Sequence, residues 1–152
     1  VTYISTKTYG HNIGLSAAFR QWRADSHCKY IHGYALQIRL EFEAEELDHK
    51  NWVVDFGGLK SFKMWLEKMF DHKLLVAEDD PQRDQILYLA EIGVADIVMV
   101  GATGCEAFAQ MVFEYAEQWL ERAHQYQGRV KIRQVEVCEH GANSAIYAAP
   151  QR

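Results

Sequence analysis

The densest run of reactive side chains is His27-Cys28-Lys29-Tyr30-Ile31-His32-Gly33-Tyr34, which carries one thiol and two imidazoles. A thiol this close to imidazoles is suited to metal ligation or to work as a nucleophile or base. The C-x3-H spacing leaves both open, beside an ordinary solvated loop. A second pair, Asp71-His72, sets a carboxylate against an imidazole, which orients the ring and raises its basicity for proton transfer near neutral pH. The same pair also suits a helix C-terminus, where histidine meets the last carbonyls. The third feature is Glu139, which shares the period-two phase of Val135 and Val137 and so points to the covered face of its strand. A carboxylate there needs a partner, either a planar edge with two parallel N–H donors or a sheet arginine, unless it reaches solvent at the strand end. Arg20, Arg23 and Lys29 flank the thiol run as a candidate phosphate clamp, or as plain surface charge.

These side chains need elements to hold them. From Tyr34 to Ala44, Leu36, Ile38, Leu40 and Phe42 alternate with Gln37, Arg39, Glu41 and Glu43, the pattern of an antiparallel strand with one buried face. Tyr34 has the phase of Leu36 and faces inward. The stretch from Thr2 to Phe19, interrupted by Gly10 and Gly14, predicts two strands or one kinked hairpin. Val53, Val54 and Phe56 predict a short strand after the polar turn at Asp48 to Asn51. Leu59, Phe62, Leu66, Met69 and Phe70 fall at helical spacing, and that helix stops near Asp71.

A second helix opens on a capping box of Thr103 and Glu106 and carries a stripe from Phe108 through Met111, Val112, Tyr115, Trp119 and Leu120 to Ala123. Between the helices, residues 77–101 read as an insertion with an acidic turn at Pro81, a short helix ending near Gly93 and a strand at Ile97 to Val100. In the last strand Val130 and Ile132 are out of phase with Val135 and Val137, which predicts a β-bulge near Arg133 and Gln134. The order β-β-α-(insertion)-α-β is an α+β arrangement, an antiparallel sheet with two helices on one face, in one domain over residues 1–152.

Composition narrows the partners. With 152 residues, 49% hydrophobic and 24% charged, the chain can bury a substantial core. Sixteen Lys and Arg against 21 Asp and Glu leave a net charge of −5, which argues against a nucleic-acid or anionic-membrane partner. Three widely spaced cysteines do not make a disulfide framework, and no apolar run of about 18 residues is present. A reducing, cytoplasmic setting is the expectation.

Taken in order, the motifs resemble those of the 6-pyruvoyl-tetrahydropterin synthase and 6-carboxy-tetrahydropterin synthase family. The matching stretches are Leu15-Ser16-Ala17-Ala18-Phe19-Arg20, Cys28-Lys29-Tyr30-Ile31-His32-Gly33-Tyr34, Trp52-Val53-Val54-Asp55-Phe56-Gly57-Gly58-Leu59-Lys60, Asp71-His72-Lys73-Leu74-Leu75 and Val135-Glu136-Val137-Cys138-Glu139. They span roughly residues 13–147, and the C-x3-H-G spacing is similar to the bacterial carboxy-type branch. The resemblance implies the tunnelling fold (T-fold), with the sheets of a homo-oligomer, a trimer or hexamer, joined into a barrel and sites between neighbours. It implies Cys28 as the catalytic thiol, Asp71 and His72 as the proton-transfer pair and Glu139 as the anchor of the pterin. The implied substrate is 7,8-dihydroneopterin triphosphate, cleaved with loss of triphosphate as in 7-deazaguanine (queuosine-type) biosynthesis.

The resemblance also implies zinc on three histidines, one in A-A-H and two in H-G-H. This chain has Phe19 and Tyr34 at two of those positions, and only His32 remains. Tyr34 as a phenolate and His27 as a nearby nitrogen are the candidate replacements, and Phe19 could instead stack on a flat ring, with Arg20 near the phosphates. Two functions therefore stand side by side. One is a pterin lyase with an altered metal site, the other a non-catalytic or metal-free pterin- or purine-binding protein on the same scaffold.

Overall fold

The computed structural model of the chain describes residues 1–150. Its strands are β1 (Tyr3–Tyr9), β2 (Leu15–Phe19), β3 (His32–Ala44), β4 (Lys73–Ala77), β5 (Ile97–Val100), β6 (Lys131–His140) and β7 (Asn143–Ala148). The α-helices are α1 (Lys60–Phe70), α2 (Arg83–Glu91) and α3 (Cys105–Arg122). The strands form one sheet in the order β5-β4-β2-β3-β6-β7, with β1 also on β3. The long β3 organises it: β1 and β2 pair with successive halves of β3, and β6 pairs with it as well, all antiparallel.

The expected antiparallel sheet is corrected at one end, where β4 runs parallel to both β2 and β5. The residues read as an insertion supply the crossover, since β4, α2 and β5 make a β-α-β unit whose helix returns the chain in the same direction. Two strands went unpredicted. Lys73–Ala77 is buried on both faces and lacks alternation, and the edge strand β7 is largely exposed. The strand expected at Val53, Val54 and Phe56 is instead a turn leading into a 3-10 helix at Phe56–Gly58. There Asp55 caps the Gly57 N–H at 2.9 Å, while Val53 and Val54 plug the core as single side chains.

The helices α1 and α3 cover one face, as their stripes predict. Phe62, Leu66 and Phe70 of α1 and Phe108, Val112, Phe113 and Leu120 of α3 join Leu36, Ile38, Leu40 and Phe42 of β3 in the main core. Each such side chain fully buried contributes roughly 1.5–3 kcal/mol of hydrophobic stabilisation. The opposite face of β4, with Leu74 and Val76, is covered by Ile86 of α2. The bulge predicted near Arg133 is present: Glu41 pairs with Gln134 and Phe42 with Ile132, so Arg133 is the extra residue. The capping box is not formed. Gly104 stands at the cap of α3, and the Thr103 hydroxyl donates instead to the Arg20 carbonyl at 2.7 Å. At Gly104, φ is +109° and a Cβ would meet the Gln21 side chain at 2.0 Å, so glycine is required there.

Candidate functional site

At the end of β2, Phe19 pairs across the ladder with His32, and Tyr34 lies two residues further along the same face of β3. Gly33 between them lets the strands close up, because a Cβ there would stand 2.9 Å from the Ala17 carbonyl oxygen. The result is a triangle of rings. Centroids lie 5.4 Å apart for Phe19 and His32, 6.1 Å for Phe19 and Tyr34, and 5.4 Å for His32 and Tyr34. Phe108 of α3 closes edge-on against Phe19 at 5.1 Å, and His140 approaches Tyr34 at 6.1 Å.

Burial first, then the nearby Glu139, Cys28 and Cys105, push the Tyr34 phenol above its ordinary value. Cys105, at the first turn of α3, is pushed up to about 12, first by burial and then by the charge of the nearby Glu139 carboxylate. The sequence reading assigned no role to Cys105; its place one residue past the α3 cap was the only signal, because its partner Glu139 lies in a distant strand. Cys28 is half-buried in a 3-10 turn (His27–Lys29) that starts at Ser26, whose Oγ accepts from the Cys28 N–H at 3.3 Å.

Asp71 and His72 lie elsewhere on the chain. His72 Nδ1 and Asp71 Oδ1 are 2.8 Å apart, and the His72 side chain is 84% exposed. His72 holds a left-handed backbone (φ 58°), and its N–H donates to the Ser16 carbonyl at 2.6 Å. Ser16 is the second residue of β2 and Phe19 its last, so the Asp71–His72 pair and the triangle of rings meet the strand about 10 Å apart along its length. Within one chain, Asp71 and His72 therefore stand apart from the triangle of rings.

The donor set does not fit zinc. Phe19 offers no lone pair and is fully buried, and burial and neighbouring negative charge both disfavour a Tyr34 phenolate. His32 Nδ1 lies 2.7 Å from the Tyr30 carbonyl, so that nitrogen donates and only Nε2 is free. His27 is exposed on its turn. Among the described residues no group of three His, Cys, Asp or Glu side chains is placed to hold a metal ion. The expectation that Phe19 stacks on a ligand is likewise corrected, because its faces are taken by neighbouring side chains.

The phosphate clamp is corrected at its arginines. Arg20 Nε and Nη2 each donate to a carboxylate oxygen of Asp80 at 2.7 Å, and Asp80 is 5% exposed. Arg23 donates to Asp79 at 3.1 Å. Of the three cations, Lys29 has no carboxylate partner among the described residues. The Arg20 guanidinium holds the Asp80 carboxyl below its ordinary value of 3.8, against the opposing effect of burial. A lowered folded pKa contributes stability that is complete above the unfolded value and lost as pH falls through the folded one. Thermal melts taken from about pH 5 down to about pH 3 should therefore fall less steeply for Asp80→Asn than for the parent chain. Parallel curves would remove Asp80 from the acid response.

The family pattern described as "6-pyruvoyl tetrahydropterin synthase" matches residues 10–150. A 6-carboxy-5,6,7,8-tetrahydropterin synthase of Rickettsia conorii is 30% identical over 74 residues, 48% of this chain and 54% of the relative. The chain thus spans about half the length of that relative. The protein of the same name from Aquifex aeolicus is 25% identical over 136 residues, 88% of this chain and 83% of its own. Among solved structures, an uncharacterized protein of Wolinella succinogenes superposes with a TM-score of 0.81 at 18% identity, covering 99% of both chains. The 6-pyruvoyl tetrahydropterin synthase of Plasmodium falciparum superposes at 0.64 and 14% identity, covering 96% of both. These two likenesses establish the fold. No helix among the described residues is long and apolar enough to cross a membrane.

Proposed function

The chain belongs to the 6-pyruvoyl tetrahydropterin synthase family, and from that premise we propose that it is a 6-carboxy-tetrahydropterin synthase-like lyase working without the family's zinc. The substrate is 7,8-dihydroneopterin triphosphate or a related pterin, in 7-deazaguanine (queuosine-type) biosynthesis. The observation that carries this reading is that Cys28 and Glu139, from distant parts of the chain, both lie within electrostatic reach of Tyr34. Glu139 accepts from the two N–H groups along the planar edge of the pterin and fixes the ring in register. Cys28, as thiolate, removes a proton from the substrate's side chain, and His72, oriented by Asp71, passes protons.

One chain holds Cys28 and Glu139 apart from Asp71 and His72, and a homo-oligomer, a trimer or hexamer, brings the missing pair from a neighbour. Each of β1 and β7 has one pairing partner among the described residues and a free edge for that purpose.

The test is to incubate the purified protein with 7,8-dihydroneopterin triphosphate and follow release of triphosphate, with and without added zinc. The expected outcome is release that needs no zinc and falls by about 10²–10⁴-fold in Cys28→Ala. No release under either condition overturns the lyase reading. It would favour the second reading, a pterin- or purine-binding protein without turnover, which the two rings at histidine positions support.

A further inference from the structure

The segment between β2 and β3 carries Cys28, yet it contains no α-helix or strand of its own. It is tied down from outside. The Arg20 guanidinium forks onto Asp80 with two 2.7 Å bonds, and its third nitrogen, Nη1, donates to the Lys29 carbonyl at 3.1 Å. One side chain therefore joins the residue next to Cys28 to the turn after β4. Two further contacts run in parallel: Trp22 Nε1 and Arg23 Nη2 donate to the two oxygens of Asp79 at 3.2 and 3.1 Å. Asp80 is itself fixed, because its Oδ1 also accepts from the Gln82 N–H at 2.8 Å and its own N–H donates to the Ala77 carbonyl at 3.1 Å. The loop closes on itself where the Gln21 N–H donates to the Cys28 carbonyl at 2.9 Å.

We propose that Asp80, acting through Arg20, is a positioning residue for the Cys28 thiol, and that the turn between β4 and α2 serves to strap the thiol-bearing loop in its working place. The physical reason lies in the geometry of the pair. A bidentate arginine–carboxylate contact fixes direction as well as distance, and a carboxylate that is nearly out of solvent leaves it little competition from water. A loop with few apolar anchors depends on such ties for its order, and without them it samples open states. The inference rests on the assignment of Cys28 as the reactive thiol, but it can be tested without any turnover.

The experiment measures the rate of alkylation of each cysteine by iodoacetamide, resolved by peptide mass spectrometry across a pH series, in the parent chain and in Asp80→Asn. The expected result is a rise of roughly fivefold or more in the Cys28 rate with a displaced pH profile, while the buried Cys105 and Cys138 keep their rates. An unchanged Cys28 rate and pH profile overturns the proposal.

If Asp80→Asn fails to fold, all three cysteines react together and Arg20→Lys decides. It keeps the charge but loses the fork and the bond to Lys29, so a faster Cys28 with slow Cys105 and Cys138 supports the strap, and an unaltered Cys28 refutes it. A strap confirmed by alkylation in a protein that releases no triphosphate would leave this inference standing and remove only the lyase reading.

Discussion

Replacing Phe19 and Tyr34 together by histidine is expected to give a chain that retains about one zinc ion per protomer. The argument is one of spacing. An imidazole nitrogen binds zinc at about 2.0–2.1 Å, which puts its ring centre about 3.2 Å from the ion and, at tetrahedral angles, about 5.2 Å from the next ring centre. The three rings here stand 5.4, 5.4 and 6.1 Å apart, so the backbone presents three side chains at nearly the separation an ion needs. The chemistry is lost at the side chains while the frame that would carry it, held close by Gly33, is kept.

If each added imidazole is worth on the order of 10–100-fold, as changes around zinc ligands are, the double variant gains about 10²–10⁴-fold in zinc affinity over its parent. Metal content after dialysis and the rise in melting temperature on adding zinc both read this out. A double variant that retains no zinc would show that ring spacing is not enough. It would also weaken the view that these positions descend from a metal site.

The second large effect is at Glu139. Glu139→Gln is expected to weaken binding of a dihydropterin by about 10–100-fold, the worth of one charge-assisted hydrogen bond and the repulsion of a misplaced donor. Glutamine offers one acceptor and one donor where two ring N–H groups need two acceptors. Glu136→Gln is the control, since Glu136 lies in the opposite phase of β6 and accepts from the Ser144 hydroxyl at 2.9 Å. Fluorescence titration of the three proteins separates them. Equal affinity in the Glu139 variant would deny that residue the role of anchor, whatever the fate of Cys28.

What could be read from the residues alone followed from how local each signal was. The alternation in β3, the stripes of α1 and α3 and the phase change at Arg133 are written in short windows, and each appears where its pattern placed it. The strand β4 was hidden because burial on both faces erases alternation, and β7 because a mostly exposed edge strand carries little apolar signal. Val53 and Val54 misled for the opposite reason: two buried valines look like a strand when they are plugs in a turn.

The site divides in the same way. The Asp71–His72 contact joins neighbours in sequence, and the expectation for Glu139 rested on strand phase alone. The engagement of Arg20 by Asp80 joins residues 60 positions apart, and nothing near Arg20 in the chain announces it. A guanidinium beside a thiol looks equally available to a phosphate or to an unseen carboxylate, and only the tertiary fold chooses.

The single surplus residue at Arg133 acts as a phase setter for everything downstream of it. Ile132 faces the core before it and Val135 and Val137 face the core after it, so the change of step at Arg133 sets the phase up to Val137, and a second irregularity between Cys138 and His140 then falls at Glu139 itself. Removing one residue from this stretch would turn the strand half a revolution, exchanging Glu139 for Cys138 or His140 on that face. The segment between Ile132 and Glu139 is thus a ruler of fixed length, intolerant of indels even where it would accept almost any individual replacement.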